Sequence, residues 1–368
     1  MADRHHYWMA EALRCARKGL YSTPPNPSVG CVIVADNKLL ASGWHGYWGG
    51  PHAEVNALQS AEIPAGADFY VTLEPCSHHG KTPPCVEAVI EAQPARVIVA
   101  MSDPNPRVGG RGLEKLAAQG IEVITGVLEA EARELNRGFV KRMEQGLPYV
   151  SLKMACSLDG RSALKNGTSQ WITGAAARRD VQFLRARASA ILSSAQTVLD
   201  DDPSLNLRLG KQDLKQIFEL RHPTRVLVDS RLRLSGSEKV FSTEGEVWIY
   251  TLSQDETRKE RLINRGAKVI ELEADDSGQV CLVSMMKDLA DRGINEVHCE
   301  CGQRLAGALL DQQLADQVVL YLAPHLLGSQ ARGGFELGEL TAMEQRKTCT
   351  MRDTRQVGDD LRLTFSVS

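Results

Sequence analysis

Two hydrophobic periods alternate along the chain. Over residues 7–18, Trp8, Met9, Leu13 and Ala16 recur at mostly three-to-four spacing, the period that gives a helix one apolar face. Pro24, Pro25 and Pro27 end any helix there. Apolar runs over 29–35 and 39–44 read as strands, with Asp36-Asn37 as the turn between them. The pattern then predicts a helix over 53–60, a strand over 68–73, a helix over 83–92 and a strand over 96–101. Residues 110–119 read as helix, 121–125 as extended and 128–142 as helix again. Such alternation over 1–146 predicts a three-layer α/β domain.

Gly146-Leu147-Pro148 reads as a boundary, and a strand begins at once over 149–153. Further strands are predicted over 189–194, 225–229, 246–251, 267–272, 296–300 and 317–323. Helices fit 175–187, 254–265, 283–292 and 304–312, and extended segments after 343 can return as edge strands. Residues 147–368 therefore read as a second α/β domain, with loops near 160–170 and 200–222 open to ligands. At about 150 residues per domain, 368 residues also suggest two domains.

Composition narrows the function classes. The chain is 43% hydrophobic and 24% charged, enough for full-sized cores and far from a disordered composition. Its 43 basic and 46 acidic side chains leave a net charge of −3, with 5% aromatic residues. Such a balance offers neither the basic groove nor the stacking aromatics of an extended nucleic-acid site. Arg14, Arg17 and Lys18 break up the first apolar stretch before an export signal can form, and no run approaches a membrane span. We expect a cytoplasmic protein. Nine scattered cysteines make a weak disulfide framework and leave room for metal ligands.

Chemistry concentrates first in Pro51-His52-Ala53-Glu54-Val55 and in Glu74-Pro75-Cys76 with Cys85. His52, Cys76 and Cys85 supply one imidazole and two thiolates, three zinc ligands that leave a fourth position for water. Zinc lowers the pKa of its water toward neutrality and so makes a nucleophile at working pH. Glu54, two residues beyond His52, can carry the water's proton to a ring nitrogen and on to a leaving amine. Two alternatives stand beside this reading: buried cysteines without metal, and a closed structural knot with His78 or His79 as fourth ligand.

These residues resemble the zinc-dependent cytidine and deoxycytidylate deaminases, whose signature is His-x-Glu followed by Pro-Cys-x-x-Cys. The wider Cys76 to Cys85 spacing and the upstream Asn26-Pro27-Ser28-Val29-Gly30 are similar to the riboflavin-pathway pyrimidine deaminases in particular. The resemblance implies that Asn26 helps hold the base, that His52, Cys76 and Cys85 bind one Zn2+ and that Glu54 is catalytic. His45 and His79 are further substrate candidates, each equally readable as a surface histidine.

The second half carries no GxGxxG at a first strand–helix turn, so the standard dinucleotide fingerprint is missing. Gly302 permits a close turn after the strand ending near Glu300, and a helix start at Arg304 offers backbone N–H groups to a phosphate. Segments 151–161, 169–173, 178–187 and 197–208, taken in order, resemble the pyrimidine reductases of the same pathway, whose fold is similar to dihydrofolate reductase. The resemblance implies an NADPH site formed by Ala155, Trp171, Thr197, Asp201, Gly302, Gln303, Arg304, Leu305, Ala306, Gly307 and Ala308. Ser169, Arg185, Leu205, Arg208 and Glu300 are implied as substrate contacts, with Lys153 a further phosphate or sugar candidate. Asp201 and Glu300 are the candidate proton donors. Cys156 and Cys301 stand where small residues are usual, and we expect no disulfide between them.

The chain as a whole thus resembles the bifunctional riboflavin-pathway deaminase–reductase (RibD) family: α/β, with an N-terminal cytidine-deaminase-like and a C-terminal dihydrofolate-reductase-like domain. The implied partner is a small phosphorylated pyrimidine, with neither nucleic acid nor membrane, and the sequence leaves a homo-oligomer open. The alternatives are a zinc deaminase acting on a nucleic-acid base and a non-catalytic, zinc-stabilised nucleotide sensor.

Overall fold

The computed structural model describes residues 2–77, 84–106 and 108–367, and contains two compact units. The first is Met1–Gly146 together with Gly210–Arg221; the second is Leu147–Leu209 with His222–Ser368.

The first unit contains α1 (Ala2–Arg17), β1 (Gly30–Ala35), β2 (Lys38–Trp44), α2 (Ala53–Leu58), β3 (Asp68–Val71) and α3 (Cys85–Glu91). It continues with β4 (Arg96–Val99), α4 (Arg111–Ala118), β5 (Glu122–Thr125), α5 (Glu129–Leu135) and α6 (Arg137–Gln145). The sheet order is β2-β1-β3-β4-β5; β1 runs antiparallel to both neighbours, and β3, β4 and β5 are parallel. Strand alternation divides its apolar residues between two cores. Val32, Val34, Tyr70 and Ile98 pack with Met9, Leu13 and Ala132 on one face. Cys31, Ile33, Phe69, Val71, Val97 and Val99 pack with Ala53, Ala57, Val86 and Leu116 on the other. Asp36 and Asn37 both adopt positive φ, 49° and 57°, matching the twist of the β1–β2 hairpin.

The helix expected over 128–142 is broken at Asn136. Its side chain accepts from Ser28 N at 2.8 Å and donates to Ser28 O at 3.0 Å, pinning the proline-rich loop 108 residues away in sequence. Glycine at position 43 is required by packing: a Cβ there would lie 2.3 Å from Ala57 N and 2.4 Å from Ala53 O. β2 and α2 thereby approach backbone to backbone.

The second unit holds β6 (Tyr149–Ser157), β7 (Arg161–Ala163), α7 (Ala175–Arg187), β8 (Ala190–Ser194) and α8 (Ala195–Asp201). Helix α9 (Lys211–Leu214) falls in the stretch that belongs to the first unit, where Phe218 packs against Tyr47 with ring centroids 5.0 Å apart. A Cβ on Gly46 would sit 2.3 Å from the Phe218 ring. The second unit resumes with β9 (Thr224–Val228), β10 (Val247–Thr251), α10 (Glu256–Ile263), β11 (Ala267–Glu271), α11 (Leu282–Asp291), β12 (Glu296–Cys299) and α12 (Gln303–Asp311). It ends with β13 (Gln317–Ala323), β14 (Arg332–Gly333), β15 (Cys349–Val357) and β16 (Asp360–Val367).

Nine of these strands form one sheet in the order β11-β10-β9-β8-β12-β6-β13-β16-β15, parallel from β11 to β13 and closed by the antiparallel β15–β16 hairpin. Residues 160–170, expected as loop, include β7, and the Thr197 region is helical as α8. Helices again cover both faces, α11 and α12 over one core, α7, α8 and α10 over the other.

Replacing Asn136 by Leu strands two buried backbone groups of Ser28. It should lower the stability of the first unit by about 1–3 kcal/mol, read by denaturant unfolding of the full chain; an unchanged midpoint would refute the pin.

Candidate active sites

In the first unit, His52 is the N-cap residue of α2, Cys76 lies on the loop after β3 and Cys85 opens α3. Each sits beside the carboxyl end of a strand or the amino end of a helix, where a sheet covered on both faces exposes its backbone to ligands. His52 Nδ1 is 2.8 Å from Cys85 Sγ and 3.5 Å from Cys76 Sγ, and the two sulfurs are 3.3 Å apart. The Cys85 N–H also donates to Cys76 Sγ at 3.2 Å.

These three donors fit zinc. A tetrahedral ion with ordinary Zn–S and Zn–N bonds needs ligand–ligand edges of roughly 3.5–3.8 Å, and the donor atoms here all lie within 4.8 Å of one another. Cys76 is held down to about 4 by the hydrogen bond from the Cys85 thiol and by those from His52 and the Cys85 N–H, against its burial. Cys85, sharing that contact and buried, is pushed up. A dication among the three removes the cost of a second thiolate. His52 is raised, first by its bond to Cys76.

Glu54 is 3% exposed in the first turn of α2, and burial raises its carboxyl to about 7. His45 is buried, its Nδ1 3.0 Å from Pro51 O and its Nε2 3.1 Å from Asn26 Nδ2, with its ring edge-on to His52 at 5.3 Å. Asn26 thus stands beside the donor cluster through His45. His78 and His79 lie outside the described residues.

The sequence reading missed Glu74. Its buried carboxylate accepts from Asp103 N at 3.1 Å, Gly110 N at 2.9 Å and Gly112 N at 2.8 Å. It ties the loop that carries Cys76 to the loop after β4. The sequence signal available was the Glu-Pro-Cys junction itself, which has the same letters whether the acid is exposed or buried.

In the second unit, Arg185 from α7 grips Glu300 at the end of β12 through two bonds, Nε at 2.5 Å and Nη2 at 3.0 Å. Its Nη1 donates to Asn206 O at 2.7 Å. Burial opposes ionisation of Glu300, but the Arg185 charge and hydrogen bonds outweigh it and hold the carboxyl well below the usual range. That removes Glu300 as a resting proton donor. Lys153 on β6 is lowered by burial, with Glu300 opposing. Ser193 Oγ donates to Glu300 O at 2.7 Å, joining the ends of β8 and β12.

Thr197 in the first turn of α8 accepts from Gly302 N at 3.2 Å. Gly302 is the N-cap of α12 at φ −73°, so the turn from β12 into the helix is made without a left-handed residue. A Cβ there would meet only Thr197 Oγ1, at 3.9 Å, so glycine instead leaves open space above the start of α12. The open helix start fits a cofactor phosphate. Ser169 Oγ donates to Asp201 Oδ1 at 3.2 Å; burial raises Asp201, the Ser169 bond opposing. Trp171 is 68% exposed with the Arg178 guanidinium 4.5 Å over its ring. Ala155 is half-buried on β6, opposite Tyr321 of β13. Arg208 is exposed, while its backbone N–H donates to Gln182 at 2.8 Å.

Other expected contacts also have a part in packing. Ala306 is fully buried in the core and Gly307 lies under Glu336, whose carbonyl oxygen would be 1.7 Å from a Cβ. Both positions serve packing. Leu305 and Ala308 pack partly against the same core. Gln303 and Arg304 both reach Glu336, at 3.0 and 3.5 Å. Leu205 is 3% exposed, its side chain within the core of Ile191, Ala195 and Val198. The nine cysteines are unpaired, and Cys301 Sγ has Cys299 Sγ as neighbour at 3.3 Å.

Comparison with known proteins decides the family. The cytidine and deoxycytidylate deaminase zinc-binding region matches residues 2–101, and the RibD C-terminal domain matches residues 148–363. The riboflavin biosynthesis protein RibD of Escherichia coli (strain K12) is 46% identical over 96% of this chain and 97% of its own length. The chain belongs to the RibD family. RibD of Haemophilus influenzae is 44% identical over 98% of this chain and 96% of its own. Among solved structures, Acinetobacter baumannii RibD superposes with a TM-score of 0.92 at 41% identity, covering all of both chains. A deaminase/reductase from Thermotoga maritima gives 0.86 at 34% identity over 100% of this chain and 99% of that one. RibD membership accounts for a zinc-binding region and a RibD C-terminal domain in one polypeptide.

Cys85→Ala should take zinc content well below about one ion per chain, measured by atomic emission on dialysed protein; an unchanged ratio would remove Cys85 from the ligand set. Arg185→Leu leaves a buried carboxylate unpaired and should destabilise the second unit by about 3–5 kcal/mol. A loss under about 1 kcal/mol in denaturant unfolding would show that the pair is dispensable.

Proposed function

We propose that residues 1–146, joined by the packed stretch 210–221, form the deaminase domain and the rest of 147–368 the reductase domain of a bifunctional riboflavin-pathway enzyme. The observation that carries this reading is the convergence of His52, Cys76 and Cys85 with a buried Glu54 in a chain related to RibD over nearly its full length. The substrate of the first step is 2,5-diamino-6-ribosylamino-4(3H)-pyrimidinone 5′-phosphate, hydrolysed at C2 with loss of ammonia. The second reduces the ribosyl group of 5-amino-6-(5-phosphoribosylamino)uracil to ribityl.

His52, Cys76 and Cys85 would hold zinc, which supplies activation of water at neutral pH. Glu54 takes up a proton on its carboxylate and returns it to the ring nitrogen and then to the departing amine. Burial suits it to this exchange, because a carboxyl raised to about 7 is found in both forms near neutrality. Asn26 and His45, bonded to each other, border the base.

In the reductase domain, Thr197, Asp201, Trp171 and the Gly302–Gln303–Arg304 helix start would hold NADPH, which supplies hydride when bound. The exposed guanidinium of Arg208 suits the ribose phosphate, since a planar fork matches two oxygens. Lys153, Ser169 and Glu300 address the sugar. Glu300, ionised by Arg185, accepts hydrogen bonds or a proton rather than donating one. We also place the enzyme in the cytoplasm, which suits nine unpaired cysteines; no helix among the described residues is long and apolar enough to cross a membrane.

The decisive test follows ammonia and NADPH oxidation in parallel on the diaminopyrimidinone ribose phosphate. Ammonia release followed by NADPH consumption is expected; ammonia alone would remove the reductase assignments. Glu54→Gln should abolish ammonia release while zinc stays at the wild-type level, and retained release would take the proton-transfer role from Glu54.

A further inference from the structure

Strand β12 lies in the middle of the nine-stranded sheet, yet one of its faces is polar. Val297 and Cys299 point into the main core of the second unit, with Cys301 packed against it. The alternate residues Glu296, His298 and Glu300 face α7, whose last turn brings Arg187 to Glu296 at 3.0 Å and Arg185 to Glu300. His298 lies between these two ion pairs at 2% exposure. Its Nε2 is 3.4 Å from Glu300 Oε1 and makes no full hydrogen bond with any described group. A ring nitrogen buried without a bond is costly, and its position calls for a cause. Catalytic hydrogen bonds are often long in the empty protein and tighten when the site is filled.

We propose that His298 is a positioning residue for the reductive step: it orients the Glu300 carboxylate by donating from Nε2 to Oε1, the bond closing as substrate engages Glu300. The inference rests on the reading of Glu300 given above. Arg185 fixes the same carboxylate from the α7 side, so the two donors constrain it from different directions. Burial keeps the imidazole toward its neutral form, with the Glu300 charge opposing. The charged groups around it are Glu296 and Glu300 on its own strand, Lys153 on β6, and Arg185 and Arg187 on α7. On β6 the register sets Ser151 directly beside His298.

The test compares the full-length, zinc-loaded wild type with His298→Leu and His298→Gln. Reductase kcat and KM are measured on 5-amino-6-(5-phosphoribosylamino)uracil, NADPH binding by calorimetry and ammonia release on the diaminopyrimidinone. His298→Leu should lower kcat for reduction about tenfold, with NADPH affinity and ammonia release within about twofold of wild type. His298→Gln, which retains an N–H donor, should recover most of the rate. Wild-type kcat in the leucine variant, or an equal loss in both variants, would overturn the proposal. Should the leucine variant lose ammonia release as well, a folding defect is indicated and the glutamine variant decides alone: near wild-type reduction supports the role and a tenfold loss overturns it. A wild-type chain that releases ammonia without oxidising NADPH overturns the reductase reading itself, and this inference with it.

Discussion

A sheet buried on both faces has only its strand ends to give to chemistry, and this constraint shapes both units. In the first, two apolar cores occupy the faces of a five-stranded sheet, and the ligand-bearing residues are displaced to loops and helix starts. In the second, Glu300, Thr197 and Gly302 gather where β8 and β12 end. The apolar interior supplies rigidity, and the ends supply unpaired backbone groups and room.

That arrangement calls for buried polar fasteners, because loops at strand ends are the parts a hydrophobic core does not hold. Glu74 collects three backbone N–H groups, Asn136 clasps Ser28 from both sides and Arg185 spans Glu300 and Asn206. Each is expensive to bury alone and stable only when fully partnered. Their geometric value lies in direction: apolar packing fixes distance well but leaves rotation freer than a bidentate bond does.

The zinc donors were legible in sequence because thiol and imidazole chemistry is rare and the neighbouring Glu54 completes a recognisable set. The alternation of elements was also legible, since helix and strand periods differ strongly. What escaped were relations between distant positions. The helical pattern over 128–142 runs straight through Asn136, whose break is caused by Ser28. Arg185 and Glu300, 115 residues apart, read separately as two ligand contacts, although each is the other's partner. Helical rotation turns Ala306 to the core and sets Gly307 against Glu336, packing that no local pattern of the sequence announces. Leu205 likewise has polar neighbours in sequence and aliphatic neighbours in space.

The short stretch Gly210–Arg221 gives the polypeptide an uneven anatomy, since it belongs by packing to a unit that otherwise ends at Gly146. Phe218 from that stretch rests on Tyr47 and presses on Gly46, next to His45. The first unit is therefore assembled from two stretches of chain rather than one. A stop codon after Gly146 would release an incomplete body whose Tyr47 has lost its aromatic cover. During synthesis, too, that body waits for some sixty more residues of the second unit to emerge before its last piece arrives.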